Sequence, residues 1–194
     1  MAERLLIATT GHPGSGKTTA RNVLVNEFDF EPYYPGDTIK HYAPHVDLND
    51  RASTARVQRE LRDSVGPNFL VDPVLHSTSR LICWDGLRSP YDAIRLQEAE
   101  SQGLRTVIVA IRSNAVLRHQ RVTASFDRVG KDPPELADFI QSALPEYVNP
   151  DLYMPSVLAV TGMAKHFIYN EAYTTLDDLR ASVRNIAIAE IAAL

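Results

Sequence analysis

Apolar residues along the chain follow two rhythms. Short apolar runs of strand length occupy residues 5–9, 30–34, 81–84, 106–111 and 166–169. Runs this short, bounded by turn-forming residues, read as strands buried on both faces. Between them the apolar positions recur at helical spacing. Ala20, Val23, Leu24 and Phe28 form one such stripe, and Ala93, Ile94, Leu96 and Ala99 another. Leu176, Leu179, Val183, Ile186, Ala187 and Ile191 form a last one. The helix boundaries carry their own chemistry: Ser89-Pro90 supplies a cap and a first-turn proline, Gly103 a stop, and Ser113-Asn114 a second start. Strands alternating with helices predict a three-layer α/β fold, a five-stranded parallel sheet flanked by helices and joined by right-handed crossovers. Ligands in such a fold gather at the C-terminal ends of the strands. The proline-rich stretch 130–155 reads as the least regular region, with no repeat or linker, so residues 1–194 form one domain.

The first strand runs into "TTGHPGSGKTT", residues 9–19, which is too rich in glycine for a good helix and joins a strand to a helix. In that context Gly11-His12-Pro13-Gly14-Ser15-Gly16-Lys17-Thr18 is a full phosphate-loop (Walker A) pattern, G-x-x-x-x-G-K-[ST]. A triphosphate is a dense anion, and a ring of backbone N–H groups at a helix N-terminus holds it well. Gly11, Gly14 and Gly16 permit that ring, with Ser15 and the amides from Gly14 to Thr19 facing the phosphates. Lys17 would reach the β- and γ-oxygens and the Thr18 hydroxyl would bind Mg²⁺. The cofactors expected are therefore ATP and Mg²⁺.

Nucleotide binding leaves the reaction open, and the other strand ends narrow it. Asp85 ends the third strand, where an acidic residue lies beside a phosphate loop and can hold Mg²⁺, although Asp-Gly is also common turn chemistry. Arg88 in the same turn could fork onto a phosphate or carboxylate of the acceptor. Asp37, after Gly36 at the second strand's end, could orient an acceptor hydroxyl or serve as a helix N-cap. Arg56, Arg59 and Arg62 lie at spacing three on one helix face, lining an anionic acceptor or simply solvated. Arg118, Arg121 and Arg128 follow the fourth strand, where a lid could close cations over the transferring group, a salt-bridged surface helix being the alternative. The six histidines show no metal-ligand spacing, His12 is a variable loop position, and Trp84 reads as core or pocket lining.

Composition adds limits. A net charge of −4 over 194 residues gives no general attraction to nucleic acid or acidic lipid. The single cysteine, Cys83, cannot form an internal disulfide and suits a reducing compartment. The N-terminal stretch is too short in its apolar part for a signal peptide, and no window approaches a membrane span. The expectation is a cytoplasmic monomer or homodimer, with no nucleic-acid or membrane partner.

"GHPGSGKTT", "GDTIKHYA", "RELRDSVGP", "WDGLRSPYDAIRL" and "HFIYN" together resemble the adenylate-kinase-like P-loop kinases over nearly the whole chain. Within them the likeness is greatest to archaeal-type kinases related to dephospho-CoA kinase. The resemblance implies Mg-ATP as donor and a small nucleotide-like acceptor, a nucleoside monophosphate or deoxynucleotide, with dephospho-CoA as the alternative. It implies acceptor-binding helices over about 37–78 and a lid over about 113–135. It places Asp37 and Arg88 on the acceptor, and Arg118, Arg121 and Arg128 in the lid. No N-K-x-D motif of a GTPase switch occurs, while an NTP-hydrolysing regulatory ATPase stays open.

Overall fold

The computed structural model describes residues 3–48, 50–125 and 133–194. Its centre is a five-stranded sheet in the order β2-β3-β1-β4-β5, made of β1 (Arg4–Thr10), β2 (Glu31–Tyr33), β3 (Leu81–Trp84), β4 (Leu104–Arg112) and β5 (His166–Tyr169). All four pairings are parallel, with Leu5 opposite Leu81 and Arg105, and Ala8 opposite Trp84 and Ile108. The side-chain period of two divides the three central strands, β1, β3 and β4, between two cores. Leu6, Ala8, Ile82, Trp84 and Ile108 enter one buried cluster, and Leu5, Ile7, Cys83, Val107 and Val109 enter the other. That division explains the apolar runs of these three strands, whose two faces are both covered, while the edge strands keep exposed positions at Glu31, Phe167 and Tyr169.

The first cluster packs under α2 (Pro35–Tyr42), α3 (Arg51–Ser64), the short α4 (Asp72–Leu75), α5 (Pro90–Glu98) and α8 (Val157–Gly162). The second packs under α1 (Lys17–Phe28) and the C-terminal α9 (Leu176–Ile191). Two further helices, α6 (Ala115–Thr123) and α7 (Leu136–Tyr147), follow β4. Ser89 and Asn114 accept from the amides of Asp92 and Leu117, the caps foreseen for α5 and α6. Burial pushes the Cys83 thiol well above its ordinary range, which makes it an inert core residue.

Two expectations need correction. The stretch 130–155 contains the twelve-residue helix α7, whose Phe139 and Ala143 are buried and which tolerates Pro145 in its last turn. Helix α2 is capped at Tyr34 with Pro35 in its first turn, so Asp37 stands inside the helix and is not the N-cap.

Candidate active site

Three glycines shape the loop between β1 and α1. Gly11, Gly14 and Gly16 have φ of 144°, 76° and 111°, a region that side chains resist. The space is closed as well. A Cβ on Gly11 would stand 2.3 Å from the Ile111 carbonyl oxygen, one on Gly14 2.6 Å from that of Arg118, and one on Gly16 2.7 Å from Asn170 Nδ2. The helix ladder of α1 begins only where Ala20 N–H donates to the Gly16 carbonyl at 3.1 Å. The first-turn amides therefore face outward from the helix end. No side chain caps α1 and no acidic residue sits in its first turn, whereas Asp50, Ser89, Asn114 and Thr175 cap α3, α5, α6 and α9. An uncapped helix N-terminus wrapped in glycines is an anion seat.

Above it lies a hollow of about 710 Å³ lined by Gly14, Gly16, Lys17, Thr18, Thr19, Asp85, Gly86, Arg88 and Arg121. Lys17 Nζ donates to the carbonyls of Gly11 and His12 at 2.8 and 3.0 Å, which holds the ammonium at the loop's rim. Asp85 follows β3 in a turn pinned to β1, since Gly86 N–H donates to Thr9 Oγ1 and Leu87 N–H to the Thr9 carbonyl. Arg21, one turn along α1 from Lys17, pairs with Asp85 Oδ2 at 3.0 Å and stands 5.3 Å from the Tyr34 ring. Thr18 and Asp85 offer hard oxygen donors on one hollow, the set Mg²⁺ takes when phosphates and water complete its shell. Among the described residues no cluster of three His, Cys, Asp or Glu side chains could hold a metal alone. The donor set thus fits a metal that arrives with phosphates.

Not every expected residue meets there. Gly11 and Ser15 back onto a second cavity behind the loop, lined also by His12, Arg118 and Tyr147, and the Ser15 hydroxyl is buried without a partner. Arg118 is only 8% exposed and donates to the carbonyls of Ser113 and Pro13 at 3.1 and 3.3 Å, so it braces the loop from behind. Arg121 does line the hollow, with its guanidinium donating to Ser113 Oγ and to the carbonyl and side-chain oxygens of Asn170. Arg128 lies outside the described residues. Asp37 is exposed on α2 and borders neither the hollow nor a further cavity beside it, under α2 and α3, whereas Pro35, Gly36 and Ile39 do line that further cavity. Arg56 and Arg59 pair with Glu60 and with Asp63 and Asp151 at the surface. Arg62 turns inward instead, pairing with Asp92 at 2.8 Å.

Four site residues escape sequence reasoning. Arg21 and Glu146 are the counter-charges of Asp85 and Arg88, the latter pair joined through both carboxylate oxygens at 3.0 Å. Arg51 opens α3 and lines both the hollow and the cavity beside it. Asn170, just after β5, donates from Nδ2 to the Ser15 carbonyl at 2.8 Å and fixes the loop's height. The only advance signal was the asparagine closing "HFIYN". His12 stacks on Tyr147 with centroids 5.3 Å apart. Burial, with Arg118, Lys17, Arg88 and Arg51 around it, lowers its pKa to about 4, so the loop gains no charge from it at neutral pH.

No family model matches the chain. A UPF0200 protein of Aeropyrum pernix is 29% identical over 122 residues, 61% of this chain and 64% of that protein, so the match spans less than two thirds of that relative. Among solved structures, shikimate kinase from Acinetobacter baumannii in complex with shikimate aligns over 97% of this chain and 96% of its own, with TM-score 0.54 and 14% identity. The Thermus thermophilus protein TT1252 aligns over 96% and 98%, with TM-score 0.55 and 14% identity. At such identity these likenesses establish the fold alone, an α/β fold with a five-stranded parallel sheet flanked by helices. Among the described residues no helix is long and apolar enough to cross a membrane.

Proposed function

We propose that this protein is a P-loop phosphotransferase that moves the γ-phosphoryl group of Mg-ATP to a small nucleotide-like acceptor. The observation that carries the reading is the continuity of two cavities. The hollow over the phosphate loop and a cavity of about 190 Å³ under α2 and α3 share Leu48, Arg51, Asp85, Gly86 and Arg88. A hydrolase needs only the first, whereas a transferase needs a second place for the acceptor, opening at the phosphate.

In this reading the α1 N-terminus and the glycine loop bind the phosphates, Lys17 balances charge on the outer two, and Thr18 and Asp85 hold the metal. Mg²⁺, when bound with ATP, neutralises charge on the phosphate oxygens. Arg21 orients Asp85 through their ion pair. Arg88, at the boundary of the two cavities, binds the acceptor's anionic group and fixes the attacking oxygen near the γ-phosphorus. The bond from that phosphorus to the bridging oxygen of ADP breaks as the bond to the acceptor oxygen forms. Asp37 has no part in this step.

The test is ADP formation from Mg-ATP with and without nucleoside monophosphates, deoxynucleotides and dephospho-CoA. One of these should raise the rate well above the acceptor-free background. Fast ADP formation that ignores every acceptor would favour the regulatory ATPase instead.

A further inference from the structure

Of Arg56, Arg59 and Arg62 on α3, only Arg62 is buried, and its partners follow Arg88 in the chain. Arg62 stands in the last turn of α3 and is 4% exposed, while Asp92 stands in the first turn of α5 and is 2% exposed. Arg62 Nη2 donates to Asp92 Oδ2 at 2.8 Å and to Ser89 Oγ at 3.4 Å, and Nη1 donates to the Pro67 carbonyl. The guanidinium lies 5.5–5.6 Å from the ring centroids of Phe69, Tyr91 and Tyr153. Taking two charges out of water is costly, and apolar residues of similar volume often match or better such a pair in stability. Stability alone is therefore a weak reason for it. What the pair does supply is a fixed geometry, because the guanidinium fork meets its partners at set angles.

That geometry is built into the turn that presents Arg88. The Ser89 hydroxyl caps α5 by accepting from the Asp92 amide at 3.2 Å, and it donates to the Leu152 carbonyl at 3.2 Å. The same carbonyl accepts from Tyr91 N–H at 3.0 Å, and the Arg88 carbonyl accepts from Ser156 N–H at 2.8 Å. Residues 149–156 are thus laced to residues 88–91. They lead back to α7, whose Glu146 takes the Arg88 guanidinium at 3.0 Å. Arg62 stands where α3, the start of α5 and this segment meet. Resting on the phosphotransferase reading above, we infer that Arg62 is a positioning residue: through Asp92 and Ser89 it fixes the main chain of the Arg88 turn, and with it the place from which Arg88 meets the acceptor's anionic group. A lysine would keep the charge but lose the fork that reaches Pro67, Asp92 and Ser89 together.

Removing Arg62 alone would leave Asp92 buried and unpaired, so the informative variant is the double substitution Arg62→Met with Asp92→Leu, which removes both charges and keeps apolar bulk. Its melting temperature should equal or exceed that of the wild type. Hydrogen exchange followed by NMR should nonetheless show the amides of Tyr91 and Ser156 exchanging about tenfold faster or more, while those of β1 and β4 keep their protection. Acceptor KM, measured with whichever compound of the panel above most raises ADP formation, should rise by about 3–10-fold, the range of one well-placed hydrogen bond. The KM for ATP should not change, a split that general loss of folded protein would not produce. Arg62→Lys should shift both readouts in the same direction by less, and if the double variant does not fold, the same measurements on Arg62→Lys decide. Unaltered exchange at Tyr91 and Ser156 would overturn the inference, even with a raised acceptor KM, since Asp92 would then act on the acceptor itself. Faster exchange with an unaltered acceptor KM would overturn it as well, because the turn would have loosened without consequence for Arg88. If the wild type transfers to no compound of the panel, the phosphotransferase reading falls, and the exchange at Tyr91 and Ser156 alone decides whether Arg62 fixes the turn.

Discussion

Lys17 and His12 belong to the same phosphate-loop motif and are held differently. Lys17 stands at the rim of the hollow, donating to two carbonyls of the loop it serves. Lys17→Ala should lower kcat by roughly 10²–10³, the usual cost of removing a group aimed at developing charge, while the melting temperature stays close to that of the parent. Turnover close to wild type in the folded variant would remove Lys17 from the mechanism. His12 is neutral because burial and four nearby cations oppose its protonation, which gives stability a defined pH signature. Its folded pKa of about 4 lies below the ordinary 6.5, so between those values the unfolded chain binds more protons. The contribution is fully present above about pH 6.5, is lost as pH falls through that window, and levels off below about 4. An NMR titration should show His12 protonating near pH 4, and His12→Leu should flatten the fall of melting temperature over the same range. A His12 titrating near its ordinary value would contradict the packing against Tyr147.

At the scale of elements, the acceptor side depends on how α7 meets the turn after β3. Glu146 near the end of α7 takes Arg88 in a two-oxygen ion pair, with Glu146 nearly buried and Arg88 about a third exposed. An anionic acceptor must compete with that carboxylate. Arg88→Ala should raise the acceptor KM by about 10–100-fold, the range for a charge-assisted hydrogen bond, whereas Glu146→Gln should lower it. Steady-state kinetics on the two variants decide the matter, and a rise in KM for both would show that Glu146 only supports the fold. These elements were unequally legible. All five strands were readable from apolar runs, with only their ends differing, and β1, β3 and β4 most plainly, because burial on both faces leaves little room for polar residues there. Helix α7 was hidden by Pro145, since a proline is a breaker by local rules, yet packing of Phe139 and Ala143 outweighs it near the helix end. The phosphate loop was legible residue by residue, because its glycines answer a local backbone requirement. Arg21, Arg51, Glu146 and Asp92 were not, because their roles come from partners 30 to 91 positions away.

Across the whole molecule, the sheet brings three strand ends to one place. The loop after β1 supplies the anion seat, the turn after β3 supplies Asp85 and Arg88, and Asn170 after β5 fixes the loop from the far side. Residues 155 positions apart therefore set the loop's shape, so its geometry is a property of the folded domain and not of the motif alone. The most direct measurement on the central claim is the fate of the γ-phosphate, followed by ³¹P NMR in a mixture of protein, Mg-ATP and a nucleoside monophosphate. The account predicts that ATP is consumed with the signals of ADP and a second phosphorylated nucleotide growing in step, and with little inorganic phosphate. ATP loss matched by inorganic phosphate alone, with the monophosphate untouched, would contradict it.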